Sequence, residues 1–85
     1  MLIEFYGKEC SHCIHMAPLV EQLEKEENRE VTKYEVWHNE ENAEKLEMYD
    51  KDLCGGVPFF YNTDTDKHIC GQVSYEKLKK WATVK

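Results

Sequence analysis

The residues best suited to chemistry lie in one short run, Gly7-Lys8-Glu9-Cys10-Ser11-His12-Cys13. Two of the chain's four cysteines stand there three positions apart. A thiol attacks a disulfide as its thiolate, and a second thiol one helical turn away can resolve the mixed disulfide that results. The spacing therefore fits dithiol–disulfide exchange, with Cys10 attacking and Cys13 resolving. Histidines at 12 and 15 make Cys-Ser-His-Cys-Ile-His, so a metal-holding module is a competing reading. Ligands so close together rarely close a tetrahedral site without a second cluster, and we expect no metal and no bound cofactor.

Such a pair needs a rigid turn to hold it. Met1 to Tyr6 is an apolar and aromatic run ending at Gly7, which predicts a buried strand. From about Cys10 to Glu26, Cys13, Met16, Ala17, Val20 and Leu23 recur at helical spacing, with Pro18 inside the pattern predicting a kink. Cys10 then falls at a helix N-terminus, where free N–H groups and the dipole favour a negative sulfur. Val31 to Trp37 reads as a second strand, and Asn39 caps a helix carrying Ala43, Leu46 and Tyr49. Strands from about Val57 to Tyr61 and Lys67 to Cys70 flank the turn Asn62–Asp66; Ser74 caps a last helix bearing Tyr75, Leu78, Trp81 and Ala82. The order is β-α-β-α-β-β-α in a single domain, 1–85. The first two strands should be parallel and the last two an antiparallel hairpin.

With strand, dithiol and helix in sequence, the chain resembles the thioredoxin superfamily. The residues that carry the resemblance are Ile3-Glu4-Phe5-Tyr6 before Cys10-Ser11-His12-Cys13, then Ala17-Pro18, Gly56-Val57-Pro58, and Cys70-Gly71. It implies the minimal α/β thioredoxin fold of glutaredoxins, a four-stranded mixed sheet in the order 2-1-3-4. The first and last helices would lie on one face and the middle helix on the other. It implies a cis bond before Pro58, facing the dithiol. Ser11, Val57, Pro58 and Gly71 would contact the substrate chain, with Cys70 beside the same groove, and the substrate would add as a strand. Glu4 takes the place of a buried acid that moves the proton of Cys13, its competing reading being a surface glutamate. His12 precedes the second cysteine, as in disulfide isomerases, and would favour the reduced form.

The chain also departs from the family. Glu9 stands where thioredoxins carry tryptophan before the first cysteine, and its charge opposes that of His12. Cys54 and Cys70 are additional; Cys54 reads as a small buried hydrophobe. His15, His38 and His68 read as surface residues. The stretch Gln72-Val73-Ser74 lacks the acidic pair with which a glutaredoxin holds glutathione.

The expected function is protein-disulfide exchange, recharged by a thioredoxin reductase-type enzyme or by glutathione. A glutathione-dependent glutaredoxin is the alternative. A net charge of −6 argues against nucleic acid and anionic membrane as partners. The Met1–Tyr6 start carries no targeting pattern, which makes a cytoplasmic monomer the expectation.

Overall fold

The computed structural model describes residues 1–51 and 53–83. Its elements are β1 (Leu2–Tyr6), α1 (Ser11–Glu27), β2 (Val31–Glu35), α2 (Glu40–Asp50), β3 (Phe59–Asn62), β4 (Lys67–Cys70) and α3 (Tyr75–Thr83). The sheet order is β2-β1-β3-β4, with β1 parallel to β2 and antiparallel to β3, and β3 antiparallel to β4. This is the expected topology.

Alternation along β1 divides the chain into two cores. Leu2 joins Met16, Val20 and Leu23 of α1 and Leu78, Trp81 and Ala82 of α3. Ile3 and Phe5 point the other way, against Ala43, Leu46 and Tyr49 of α2. A strand turns successive side chains to opposite faces, so Glu4 shares the α1 face with Leu2. That parity makes its carboxylate a neighbour of the dithiol helix.

Element ends follow identifiable caps. Asn39 Oδ1 accepts the Asn42 N–H at 3.0 Å, and Ser74 Oγ accepts that of Lys77 at 3.3 Å. Asn28 closes α1 in the left-handed conformation, φ 50°. Strand β2 is two residues shorter than the apolar pattern predicts. The Glu35 carboxylate takes the N–H groups of Lys8, Trp37 and His38, which turns the chain out of the ladder. Trp37 then lies over Gly7, where any Cβ would run into the indole. Strand β3 starts at Phe59 rather than Val57, because Val57 and Pro58 belong to the loop facing the dithiol.

Candidate active site

Cys10 is the N-cap of α1, and its Sγ accepts the Cys13 N–H at 3.2 Å. The sulfur thus occupies the place that a serine or aspartate oxygen fills in an ordinary cap. A negative charge there gains from the free helix amides and the dipole. Its other neighbour is the Val57 carbonyl, 3.9 Å from Sγ. The Val57–Pro58 bond is cis, as expected, and its loop faces Cys10 Sγ. The Gly71 N–H donates to the Pro58 carbonyl at 2.8 Å, tying that loop to the end of β4; Gly71 has φ +79°, a conformation natural to glycine.

The two sulfurs are free thiols, and both are buried. An open groove of about 720 Å³ is walled by His12, Leu19, Val57, Pro58 and Gly71 and continues along Gln72–Ser74. Cys10 is not among its walls and reaches it through Val57, whose carbonyl faces Cys10 Sγ. Cys10 is 6% and Cys13 4% exposed. Burial, the hydrogen bond with Cys10, and the nearby Cys10 and Glu4 charges push the Cys13 thiol up to about 12, against a smaller opposing pull from the Gly7 backbone.

Glu4 is buried, as the functional reading of its position requires, and not on a solvated face. Desolvation raises its carboxyl to about 7; Lys33 pulls it down and Glu24 pushes it up by lesser amounts. A second cavity, of about 270 Å³, is walled by Glu4, Tyr6, Cys13, Ala17, Glu21, Glu24 and Lys33. It has room for water between the Glu4 carboxylate and the Cys13 thiol. Lys33, paired with Glu4 across β1–β2, donates to Glu24 at 3.2 Å on the outer wall.

The remaining predicted residues are distributed unevenly. His12 lines the groove, and its Nδ1 pairs with Gln72 Oε1 at 2.9 Å, not with a sulfur. Ser11 is exposed in the first turn of α1 and is not among the residues walling the groove. Cys70 is also absent from that wall. Its sulfur is bonded to Cys54, so the reading of Cys54 as an isolated hydrophobe is wrong. Sequence reasoning treated the two as separate residues because a strand end and a loop, sixteen positions apart, carry no pairing signal.

Three further residues escaped the sequence. The Asp50 carboxylate accepts the N–H groups of Cys54 and Gly55, at 2.6 and 2.9 Å, and so shapes the loop leading to Pro58. An aspartate shortly before Cys-Gly-Gly is a recognisable turn-capping signal. Gln72 orients His12. His38 holds the Glu9 carboxylate at 2.7 Å, which no local pattern indicates.

An N-cap sulfur facing the cis-Pro58 loop, with a partner thiol that shares a cavity with a buried acid, suits two-step thiol–disulfide chemistry. The fold is similar to that of the glutaredoxin Grx-1 from Archaeoglobus fulgidus, with a TM-score of 0.63 and 22% identity over 96% of this chain and 85% of that one. No curated protein matches the chain. A model of the family described as thioredoxin matches residues 1–84, nearly the whole sequence and both sides of the site. This thioredoxin-fold redox protein therefore belongs to the thioredoxin family.

Proposed function

We propose that the chain is a protein-disulfide oxidoreductase that works through the Cys10–Cys13 pair. The observation that carries this reading is the asymmetry of the two thiols. Both sulfurs are buried, but Cys10 Sγ accepts the Cys13 N–H as the α1 N-cap and faces Val57, a wall of the groove, whereas Cys13 lines the Glu4 cavity.

The exchange proceeds in two displacements. The Cys10 thiolate attacks one sulfur of a substrate disulfide, forms a Cys10–substrate disulfide and expels the other substrate sulfur as a thiolate. The Cys13 thiol then loses its proton to the Glu4 carboxylate through cavity water. Its thiolate attacks Cys10 Sγ, the mixed disulfide breaks, and the second substrate thiolate departs. The products are a Cys10–Cys13 disulfide and a substrate dithiol, two electrons having moved from protein to substrate. A Cys13 thiol near 12 loses its proton rarely at neutral pH, so an acceptor near 7 in the same cavity is what the second step needs. The substrate backbone lies along Val57 and Gly71, where an extended chain can pair with the loop.

Disulfide reduction driven in turn by a thioredoxin reductase and by glutathione with its reductase tests the reading. Turnover of a protein disulfide with a reductase and no glutathione supports it. Turnover only with glutathione replaces it with the glutaredoxin reading.

A further inference from the structure

The second pair of cysteines lies on the opposite face of the sheet from the groove. Cys70 and His68 are two apart on β4, so their side chains share the α2 face, and the His68 ring lies 6.0 Å from the ring of Phe59. Cys54 reaches the same spot from the loop after α2, held there by the Asp50 carboxylate on its own N–H. The Cα atoms of Cys54 and Cys70 are 5.4 Å apart. The two sulfurs and one ring nitrogen of His68 all lie within 4.8 Å of one another. Cys70 and His68 are exposed and Cys54 half-buried, so the cluster is open to reductants and ions.

We infer that Cys54, His68 and Cys70 form a redox-gated site for a soft divalent cation of the Zn²⁺ class. A small dithiol gives up two electrons and becomes a disulfide; the Cys54–Cys70 bond breaks, and two thiols form. The cation then binds both sulfurs as thiolates with the neutral imidazole of His68, releasing the two thiol protons and leaving a fourth position to water. Thiolate and imidazole donors together favour Zn²⁺ over the hard cations Mg²⁺ and Ca²⁺. In the oxidised chain both sulfurs are spent in their own bond, and the imidazole is the cluster's one free strong donor. The site is closed.

The local backbone permits the change. Zn–S bonds of about 2.3 Å in tetrahedral geometry put the two sulfurs about 3.8 Å apart, so the pair must open by a modest amount. Gly55 and Gly56 follow Cys54 directly, and the space where their Cβ atoms would sit is empty to 4 Å. The loop has room to yield there, and the Gly71–Pro58 hydrogen bond lies beyond it. A cation bridging Cys54 to β4 would replace the covalent tether when dithiols are abundant. The loop carrying Val57 and Pro58 then remains anchored in both redox states.

Cobalt(II) binding to the full-length chain tests the site. Cys10 and Cys13 are themselves a dithiol, so the titration uses the C10S/C13S double variant. After reduction and anaerobic removal of the reductant, we expect one Co²⁺ per chain, with sulfur-to-metal charge-transfer absorption and displacement by Zn²⁺. The oxidised protein should bind none. His68→Ala should weaken binding by about tenfold or more, since it removes one of three protein ligands. Alkylation mass spectrometry reads the site without altering it: one Zn²⁺ should shield both Cys54 and Cys70 of the reduced protein from iodoacetamide. No uptake after reduction, equal uptake by the oxidised form, binding indifferent to His68→Ala, or thiols left unshielded would each overturn the assignment.

Discussion

Glu4 and Cys13 both line one cavity of about 270 Å³ between β1, β2 and α1. Burial is the main reason both are hard to ionise, and the Glu4 charge adds to the resistance of Cys13. Neither ionises readily alone. A proton passing from one to the other leaves a single charge in the cavity, which is the state the proposed resolving step uses.

This relationship has a consequence for stability. A carboxyl at about 7 in the folded chain and 4.5 in its ordinary setting binds a proton more tightly when folded. The penalty for burying it is absent below pH 4.5, grows as pH rises towards 7 and is constant above. Glu4→Gln should therefore raise stability by up to about 3 kcal/mol at pH 8 and leave it nearly unchanged at pH 4. Denaturant unfolding at the two pH values checks this, and an equal effect at both would contradict it. The same variant should slow resolution of the mixed disulfide and remove the inflection near pH 7 from its rate profile, readouts that a purely structural role leaves alone.

The site's redox poise rests on how its charges are placed. Glu9, the acidic neighbour of Cys10, is turned onto His38, whose ring it holds at 2.7 Å and whose pKa its hydrogen bond and charge raise. His12 stays at the groove, fixed by Gln72. The opposing charge is thus partly neutralised, and we expect a potential above thioredoxin's roughly −270 mV, nearer the −200 to −230 mV of glutaredoxins. His12→Pro should move it downward. His38→Ala, by freeing Glu9, should do the same by a smaller amount, because the pair is solvated. Equilibration with a glutathione redox buffer reads all three; a wild-type value at or below about −270 mV would show that His12 does not prevail.

Asp50 provides a test of the docking loop. Its carboxylate satisfies two N–H groups in a nearly buried position, so Asp50→Ala leaves both without their acceptor. We expect a loss of about 1–3 kcal/mol in stability. The KM for a protein disulfide should rise while reaction with a small disulfide, which needs no docked backbone, is little altered. Equal losses with both substrates would place Asp50 in the chemistry instead.

The fold was legible because its signals are local and mutually consistent. The apolar run ending at Gly7, the helical spacing from Cys13 to Leu23 and the caps at Asn39 and Ser74 all correspond to observed elements. Cys10, Cys13 and the cis bond at Pro58 follow from short motifs and were readable for the same reason. What escaped depends on contacts between distant segments. Cys54 meets Cys70, Gln72 meets His12 and His38 meets Glu9 only after the sheet has formed. Glu4 was intermediate: its register along β1 points it inward, but the cavity exists only once α1 and β2 have packed around it.

The most direct test of the central claim is the fate of Cys13→Ser with a protein disulfide in the absence of glutathione. If Cys10 attacks and Cys13 resolves, this variant should accumulate a covalent complex with substrate through Cys10, detected by mass spectrometry as a one-to-one adduct that added dithiol releases. Cys10→Ser should form no such adduct. Continued turnover by Cys13→Ser, or an adduct formed through another cysteine, would contradict the two-thiol mechanism.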